Sequence, residues 1–525
     1  MLVPKLLSCL ADERAHRIAV CVCPHRPAIF FVQLISARPS IMYCAMRGLW
    51  MTTLPEPLRC LAEASSIRAY LVGGAVRDLM LGRPVTDWDV AADDACAAAQ
   101  IVAQYAGRNP VQMHPSPATF RIPLPDGHID VVQLTADDLV VDLSRRDFTV
   151  NAMAIELREG AYVIDPFGGM KHLRAGIIET VSETSMRDDP VRVVRAYRLA
   201  AELGFRIGPR TREQAKKAAR WLQASATQRW GHELLRLFDT PLLAGPAVEW
   251  MEADGVLEQL FPYAEEMRGI GRGGFHHKDV LGHTLEALRH ADRLLEAPRS
   301  VFVNSAERVG EYLKQRFARC TVRAAVLLHD IGKPATYHQA PDGRVTFYDH
   351  DDVGAAMAED ELRRWAWPKA LRQAVVRLVD IHMRPLQLAR AHMEDNAPIT
   401  DRALRHLAND AGEHLPALFL VSAADLMAAR GPASTPEEHR QMLQLLDEML
   451  HRAVLSTVAH PRQRLINGHD LMRGLGLSPG PLLGSILNAV HAAQDEGRIR
   501  TRAEALSLAR QLLAHGRAGI DVGDS

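Results

Sequence analysis

Two aspartates, Asp87 and Asp89, lie two residues apart in a short segment that is predicted to form a β-strand. Alternate side chains of a strand point to the same face, so the two carboxylates are close neighbours. Two such carboxylates repel each other unless a cation lies between them. Mg²⁺ prefers carboxylate oxygens and often binds phosphates as well. The spacing therefore predicts a magnesium site; the alternative is a pair of solvated charges at the edge of a sheet.

A glycine pair comes before these carboxylates. Gly73 and Gly74 let the backbone approach an anion closely, and the helix predicted after them offers free N–H groups at its N-terminus. Arg77, one turn into that helix, adds a forked donor suited to phosphate. Together with the two aspartates, this order predicts a nucleoside triphosphate bound beside its metal ion rather than a plain turn.

Up to about residue 170, the elements that must position these groups are predicted to be short strands and helices in alternation. Apolar segments predict strands at 69–72, 85–91, 128–134 and 161–164. We expect a helix at 75–81 and a further helical segment at 151–155. Beyond residue 170, apolar residues recur every three or four positions, which is typical of helices. The predicted fold class is therefore α+β, with an all-α body after the first part.

Composition limits the function classes. Of the 525 residues, 47% are hydrophobic and 24% are charged, which excludes a disordered chain, a collagen-like fibre and a disulfide scaffold. Lys and Arg number 62 against 63 Asp and Glu, which excludes a protein that is basic overall but not one with a local basic patch. Seven cysteines predict reduced thiols and a cytoplasmic location. No apolar stretch reaches the roughly 20 residues of a membrane span, so we expect no membrane partner.

The glycine pair and the aspartates form part of a longer motif, G-G-x-V-R-D…L-G…D-x-D, which resembles the start of class II tRNA nucleotidyltransferases. This family comprises the CCA-adding enzymes and their bacterial poly(A) polymerase relatives, within the polymerase-β-like superfamily. Further family motifs are matched, in the same order, by 145–154 (R-R-D-F-T-V-N-A-M-A), 165–169 (D-P-F-G-G) and 188–195 (D-D-P-V-R-V-V-R). The resemblance extends from about residue 69 to residue 510 and implies a polymerase-β-like head with a mixed sheet and helices.

The resemblance implies a reaction and the residues that carry it. The CCA-adding members add C, C and A to the 3′ end of tRNA without a template, when the RNA 3′-hydroxyl attacks the α-phosphate of CTP or ATP. Two Mg²⁺ ions on Asp87 and Asp89 would assist this attack, and superfamily members use a third carboxylate, for which Asp130 is our candidate. The nucleotide-binding residues that the resemblance implies are Gly74, Arg77, Arg146, Asp189, Arg192, Arg195 and Arg198.

Asp189 and Arg192 are suited to the choice of base. An ionised Asp189 can only accept hydrogen bonds, as from the amino group of cytosine or adenine, and Arg192 can only donate, as to the neighbouring ring nitrogen. Uracil and guanine present the opposite pattern and would leave these groups unpaired. The alternative to this base-selecting role is a solvated helix face.

The segment from Glu183 to Arg236 is locally basic. It contains 12 Lys and Arg against 6 Asp and Glu, which favours a surface that binds an RNA backbone, although ordinary helix-surface charge is the alternative.

A second set of residues, in the order H…HD…D, resembles the HD phosphohydrolase superfamily. The four metal positions that this resemblance implies are His283, His329, Asp330 and Asp425, and the extra histidines of two-metal members are matched by His350 and His382. Imidazole and carboxylate together suit Mn²⁺, Fe, Co or Ni. A single histidine in a helix is usually a core residue, whereas this number in family order favours a metal site. Some family members carry such a domain with phosphatase or 2′,3′-cyclic phosphodiesterase activity.

The sequence and the resemblance together predict five segments along the chain, the first of them from the absence of a sustained hydrophobic period in 1–50. We expect a poorly ordered extension at 1–50, a catalytic head at 51–170 and a helical neck that binds the base and RNA at 171–268. An HD metal-binding domain is expected at 269–430 and a helical, RNA-binding tail at 431–525. The expected partners are tRNA, CTP and ATP, and the sequence leaves the oligomeric state open.

Four alternative functions remain open at this point, of which a bare tRNA-binding protein is disfavoured by the two predicted metal sites. The motifs are compatible with a poly(A) polymerase, and also with an enzyme that adds only A or only the two C residues. A hypothesis of another class is a metal-dependent HD phosphohydrolase whose front domain only binds RNA.

Overall fold

The computed structural model describes residues 51–518, apart from 65, 135–137, 243, 271–277, 344, 430–434, 459–463 and 496–497. The extension expected at 1–50 lies outside the described residues. By internal contacts the chain divides into two compact units. The first contains the described residues up to 234 together with 250–260, and the second contains 235–249 together with the residues from 261 onwards.

The first unit is built on a seven-stranded mixed sheet of order β3-β4-β5-β2-β1-β6-β7. Its strands are β1 (Ala69–Val72), β2 (Asp87–Ala92), β3 (Val111–Pro115), β4 (Ala118–Leu124), β5 (Gly127–Gln133), β6 (Ala154–Glu156) and β7 (Val163–Ile164). β2 and β5 are parallel, and the other neighbouring strands are antiparallel. Two short strands, β8 (Ile177–Ile178) and β9 (Arg206–Ile207), form a separate parallel pair.

Alternation along β2 determines which side chains reach the core. Trp88 and Val90 are buried, whereas Asp87, the first residue of the strand, is exposed and Asp89 is partly buried. Because successive side chains of a strand point to opposite faces, burying Trp88 and Val90 leaves both aspartates on the other face. The hydrophobic pattern of the strand therefore places the carboxylates together.

Helices surround this sheet and continue beyond it. Those of the first part of the chain are α1 (Glu56–Glu63), α2 (Gly74–Met80), α3 (Ala95–Ala106), α4 (Leu139–Ser144), α5 (Gly169–Ala175), α6 (Ser185–Asp188), α7 (Val191–Leu203), α8 (Pro209–Ala218), α9 (Thr227–Asp239), α10 (Gly245–Ala253) and α11 (Leu257–Leu260). Single 3₁₀ turns lie at Thr149–Asn151 and Ala219–Trp221.

The helical segment expected at 151–155 is wrong. A 3₁₀ turn ends at Asn151, and β6 begins at Ala154. Ala154 and Ile155 pair with Val72 and Leu71 of β1, and Ala154 and Ile155 are both buried. Pairing within the sheet thus overrides the local preference of this alanine-rich segment for a helix.

The second unit is helical, apart from a short antiparallel pair, β10 (His338–Gln339) and β11 (Val345–Thr346). Its further helices are α12 (Tyr263–Met267), α13 (Val280–Glu296), α14 (Ala306–Tyr312), α15 (Ala318–Leu328), α16 (His350–Arg364), α17 (Lys369–Ile381), α18 (Met383–Asp395), α19 (Asp401–Ala411), α20 (Leu415–Ala428), α21 (Pro436–Val458), α22 (Gly468–Leu475), α23 (Pro481–Asp495) and α24 (Arg502–Ala518). 3₁₀ turns lie at Pro298–Ser300 and Gly412–His414.

The core of this unit is centred on α20, which is buried along nearly its whole length. α20 packs against α13, α15 and α21. The last three helices have a smaller core of their own, which includes Leu471, Ile486 and Val490. The predicted α+β class, with a mixed-sheet head followed by a helical body, is confirmed. In the described part of the chain, no helix combines the length and the apolar character that crossing a membrane requires.

Candidate active site

The register of the sheet brings the three predicted carboxylates to one region. β2 pairs with β5 so that Asp89 lies opposite Asp130 and Asp87 lies opposite His128. On the other side of β2, Asp89 lies opposite Val72, the last residue of β1. Asp89 is therefore flanked by the turn after β1 on one side and by Asp130 on the other.

Gly73 forms the turn between β1 and α2, with a φ of 75° that favours glycine. A Cβ atom added at Gly73 would lie 2.6 Å from Nη1 of Arg146 and 3.0 Å from Oδ2 of Asp89. Both side chains thus reach the backbone of this turn, and any larger residue would displace them. The Arg146 guanidinium and the Asp89 carboxylate meet here, at the N-terminus of α2.

Asp89 is in an environment that disfavours its charge. Burial raises the pKa of Asp89, and the nearby carboxylates of Asp130 and Asp87 raise it further, while Arg146 acts in the opposite direction. A divalent cation would relieve both the burial penalty and the repulsion among the carboxylates. The donor set and its charge therefore fit a hard cation such as Mg²⁺.

Asp130 is held by groups that sequence reasoning missed. Nε and Nη2 of Arg121 donate to its two oxygens, each at 2.7 Å. Nε2 of His128 lies 3.5 Å from Oδ2 of Asp130, and Nδ1 of the same ring lies 3.1 Å from Oδ1 of Asp87. His128 thus lies between the carboxylates of Asp87 and Asp130. Arg121 lies on β4, next to the strand β5 that carries Asp130.

Arg77 is placed in the first turns of α2, as predicted, but its donors are occupied by protein. Its Nε and Nη2 donate to Asp78 at 3.0 and 2.7 Å, and its Nη1 donates to Oδ1 of Asn151 at 2.7 Å. The side chain is buried. In this structure Arg77 therefore joins α2 to the 3₁₀ turn that ends at Asn151. Gly74 is the first residue of α2.

Arg192 connects the helix α7 to the segment that carries Arg146. Its guanidinium donates to the carbonyl oxygens of Arg145, at 2.7 Å, and Arg146, at 3.3 Å, and to the hydroxyl of Ser185, at 2.9 Å. Asp189 lies just before α7, and Arg229 donates to its Oδ2 at 2.7 Å. The Nε atom of Arg192 is 4.0 Å from the same oxygen. The predicted base-selecting pair therefore lies together and is linked to Arg146.

Arg195 and Arg198 belong to a buried ion network. Arg195 donates to Asp147 at 3.0 Å and to Glu233 at 2.8 Å, and Arg198 donates to the other oxygen of Glu233 at 2.6 Å and also to Glu202. Burial raises the pKa of Glu233, but Arg198 and Arg195 outweigh burial and hold it below its ordinary value. The network fixes α7 against α9 and against the segment that follows Arg146.

The six residues of the second predicted site converge in the helical unit. They come from α13, the end of α15, the start of α16, the junction of α17 and α18, and the last turn of α20. Among the described residues, two groups bring three potential ligand atoms within 4.8 Å of one another. These groups are His283, His329 and Asp425, and Asp330, His350 and His382.

Backbone carbonyls orient three of these histidines. The Nδ1 atoms of His329, His350 and His382 lie 2.7, 2.9 and 2.7 Å from the carbonyl oxygens three residues before them. A carbonyl accepts only, so each Nδ1 carries the proton and each Nε2 is directed to the centre of the cluster. Nε2 of His350, Nε2 of His382 and Oδ1 of Asp330 are buried without a hydrogen-bond partner in the described part of the chain. Such buried atoms fit a bound cation.

The charges of the cluster are also those of a cation site. Burial lowers the pKa of His329, but Asp330 and Asp425 outweigh it and raise the pKa to about 10. Burial, with the nearby His329, lowers the pKa of His382 to about 4, so its ring is neutral at pH 7. Nζ of Lys333 lies 2.7 Å from Oδ2 of Asp330. Acidic oxygens and a neutral imidazole are both available to a metal ion.

Some functional residues were missing from the sequence prediction, and the signals for them differ. His128 lies two positions before Asp130 on one strand, a spacing that could have placed both on one face. Arg121 pairs with Asp130 across the hairpin of β4 and β5, whose two-residue turn is Pro125 and Asp126, followed by Gly127. Glu233 is far from Arg195 in sequence and could be found only from the fold.

Comparison with protein-family models gives three matches. The model described as the poly A polymerase head domain matches residues 69–123 and 116–179. The model described as a probable RNA and SrmB-binding site of polymerase A matches residues 204–267. The HD domain model matches residues 280–429.

Individual relatives extend this similarity to most of the chain. An A-adding tRNA nucleotidyltransferase of Deinococcus radiodurans is 35% identical over 443 residues, which are 83% of this chain and 94% of the relative. A CC-adding tRNA nucleotidyltransferase of Thermus thermophilus is 34% identical over 458 residues, 86% of this chain and 94% of the relative. In fold, the chain resembles the CCA-adding enzyme of Thermotoga maritima solved with tRNA, with a TM-score of 0.51, 21% identity and coverage of 92% of this chain and 98% of that one. The chain therefore belongs to the tRNA nucleotidyltransferase family.

Proposed function

We propose that this protein adds C, C and A to the 3′ end of tRNA, using CTP and ATP. The observation that carries the proposal is the position of Asp89, which lies between the Gly73 turn with Arg146 on one side and Asp130 on the other. Asp87 lies on the same face of β2. The names of the relatives support the tRNA 3′ end as the substrate, since they add A, CC or CCA.

Asp87 and Asp89 would hold Mg²⁺, which would activate the attacking RNA hydroxyl and stabilise the negative charge that develops on the α-phosphate. The residues around them bind and orient the nucleotide. The N–H groups at the start of α2 and the guanidinium of Arg146 offer donors to the triphosphate beside Asp89. Gly74 and Arg77 shape this turn, and Arg77 keeps α2 in place through Asp78 and Asn151.

Choice of base is assigned to Asp189 and Arg192. Nε of Arg192 has no hydrogen-bond partner in the described part of the chain and lies 4.0 Å from Oδ2 of Asp189, so a donor and an acceptor lie side by side. This pair matches cytosine and adenine and leaves uracil and guanine unpaired. Arg192 also binds the carbonyls of Arg145 and Arg146, so a base bound at Arg192 is positioned relative to the triphosphate. The network of Arg195 and Arg198 keeps α7 in the position that this requires.

The HD site is proposed as a second, phosphohydrolase activity. The Nε2 atoms of His350 and His382 and the Oδ1 atom of Asp330 support it, because they are buried without a hydrogen-bond partner in the described part of the chain, and Nε2 of His350 is 3.6 Å from Oδ1 of Asp330. The six residues would hold a transition metal such as Mn, Ni, Co or Fe, which would supply a nucleophilic hydroxide for phosphate-ester hydrolysis. We place both activities in the cytoplasm, in keeping with the few cysteines of the chain.

The test uses three tRNA transcripts, ending before the first C, before the second C and before the A. Each is incubated with Mg²⁺ and with CTP or ATP alone and then with both. The proposal predicts two C residues from CTP, one A on the transcript that ends in CC, and no further extension. Addition of A alone or of C alone would assign the chain to the partial reactions of its relatives, and long runs of A would assign it to poly(A) synthesis. No extension of any transcript would contradict the proposal.

A double variant separates the two activities. Asp87→Ala together with Asp89→Ala is expected to abolish extension and to leave hydrolysis of a phosphate ester such as 2′,3′-cyclic AMP unchanged. If physiological activity persisted in this variant, the front domain would be a binding module and the alternative hypothesis of an HD hydrolase would be preferred.

A further inference from the structure

We infer that Arg121, anchored by Asp130, binds the last phosphodiester of the RNA whose 3′-hydroxyl attacks the nucleotide. This inference rests on the proposed function and deepens it, because it assigns the subsite for the growing RNA end. The starting point is the bidentate contact of Arg121 with Asp130, at 2.7 Å for both hydrogen bonds.

The order of the strands determines from which side the RNA must approach. β1 lies on one side of β2, and β5 followed by β4 lies on the other. The Gly73 turn, where we place the triphosphate, is on the β1 side of Asp89. In phosphoryl transfer the attacking and leaving oxygens are roughly in line. Because pyrophosphate leaves on the β1 side, the RNA hydroxyl has to arrive over β5 and β4.

The register of β4 with β5 places a cationic side chain, Arg121, on the β5 and β4 side of Asp89. It lies opposite Asp130 in the pairing of β4 with β5, and Asp130 lies opposite Asp89 in the pairing of β5 with β2. The three residues thus form one row across three neighbouring strands. At a strand spacing of about 4.8 Å, the backbones of Arg121 and Asp89 are ~10 Å apart. An RNA end that reaches Asp89 from this side passes over Arg121.

The contacts of Arg121 leave it able to bind a phosphate. Nε and Nη2 are used by Asp130, whereas Nη1 has no hydrogen bond to any described residue. The Arg121 side chain is 42% exposed, against 17% for Asp130. The carboxylate therefore fixes the orientation of a guanidinium that is still open to solvent on another edge. Such a preorganised, charge-assisted donor is suited to a phosphodiester.

One observation favours this anchoring role over a role of Asp130 as a metal ligand. Both oxygens of Asp130 already accept hydrogen bonds from Arg121. Asp130 is thus assigned as a positioning residue that acts through Arg121.

The experiment combines a protein variant with a chemical change in the RNA. Steady-state extension is measured for the wild type and for Arg121→Ala, on a tRNA whose last phosphodiester is natural or is replaced by an uncharged methylphosphonate. We expect Arg121→Ala to raise KM for the RNA about tenfold, the effect of one charge-assisted hydrogen bond, and to leave KM for CTP unchanged. The methylphosphonate should raise KM of the wild type by a similar factor and have no further effect on the variant.

Controls keep the outcome interpretable. Arg158→Ala removes an exposed arginine that follows β6 and pairs with Glu156, and it should leave both KM values unchanged. The methylphosphonate arm on the wild type requires no variant to fold. Independent effects of the variant and the methylphosphonate would overturn the inference. So would an Asp130→Asn variant that raises the Mg²⁺ concentration for half-maximal activity while Arg121→Ala leaves KM for RNA unchanged. A wild type that extends no RNA would instead contradict the proposed function itself.

Discussion

Asp89 lies in a place where burial and two further carboxylates oppose a negative charge. Burial, Asp130 and Asp87 all raise its pKa, and Arg146 compensates only in part. A side chain that served stability alone would be better replaced by a neutral one, because an ionised group away from water is costly. The electrostatics of this residue are therefore best explained by a bound cation.

Asp89→Asn removes the charge and keeps the shape of the side chain. We expect the rate of nucleotide addition to fall by about 10³-fold, because loss of a metal ligand removes several kcal/mol of transition-state stabilisation. Asp126→Asn is the matched control, since Asp126 is exposed in the turn between β4 and β5. Extension assays on both variants give the comparison, and equal rates for Asp89→Asn and wild type would remove Asp89 from the site.

Glu233 is a second residue with a measurable electrostatic role. Its carboxylate pairs with Arg198 at 2.6 Å and with Arg195 at 2.8 Å, and the side chain is 7% exposed. Glu233→Gln would leave the buried guanidinium of Arg198 and the partly buried guanidinium of Arg195 less well compensated. We expect the free energy of unfolding at pH 7 to fall by about 3 kcal/mol, the usual order for breaking a buried ion pair.

The pH dependence of this effect has a definite sign. Burial raises the pKa of Glu233, but Arg198 and Arg195 outweigh it and lower the pKa below 4.5. The stabilisation is therefore present above the ordinary pKa and is lost as the pH falls through the lowered value. Urea unfolding should show the difference between wild type and Glu233→Gln shrinking below about pH 4. The exposed Glu213 provides the control Glu213→Gln, and a difference that grew on acidification would contradict this assignment.

Among the elements, the turn from β1 into α2 is one where a side chain larger than that of glycine would meet both backbone strain and close contacts. Gly73→Ala would place a methyl group 2.6 Å from Arg146 and 3.0 Å from Asp89, at a φ of 75°. We expect the rate of nucleotide addition to fall by at least about tenfold, since the two displaced groups are those proposed to bind the triphosphate and the cation. A loss of about 1.4 kcal/mol of transition-state stabilisation already gives that factor. KM for CTP should rise.

A substitution at Gly160 distinguishes the effect of backbone strain from the effect of displacing Arg146 and Asp89. It has a φ of 73°, and nothing lies within 4 Å of an added Cβ atom. Gly160→Ala should therefore share the strain of Gly73→Ala, measured as a similar loss of thermal stability, but retain full activity. Equal losses of activity in both variants would show that strain alone is responsible.

The same elements explain how far the sequence could predict the site. The turn, Asp87 and Asp89 are close in sequence, so strand alternation and glycine chemistry were enough to group them. The residues that hold the site, Arg121 and Glu233, are brought in by sheet register and helix packing, which local patterns do not determine. The segment at 151–155 was assigned wrongly for the same reason, because pairing with β1 decides its structure.

The whole molecule carries two chemical centres, each within one compact unit. The carboxylates of the sheet lie in the first unit and the HD cluster lies in the second. The order of the HD ligands was apparent in the sequence, but their convergence depends on five separate parts of a helical fold. Because each centre is complete within its unit, we expect the two activities to be separable.

His382→Ala tests this separation. If the cluster binds a transition metal as proposed, the variant should contain less of it after purification than the wild type, measured as metal content per chain by mass spectrometry, because one inward-facing Nε2 is removed. Nucleotide addition should be unchanged. His338→Ala, in the exposed strand β10, is the control and should retain the metal. Metal content that is equal in His382→Ala and wild type would contradict the assignment of the cluster.

The most direct test of the central claim is a crystal structure of the protein with Mg²⁺ and a non-hydrolysable CTP analogue. The account predicts a metal ion about 2.1 Å from an oxygen of Asp87 and an oxygen of Asp89, with the triphosphate at the Gly73 turn and the base at Asp189 and Arg192. A triphosphate bound elsewhere, or a metal ion that contacts neither Asp87 nor Asp89, would contradict it.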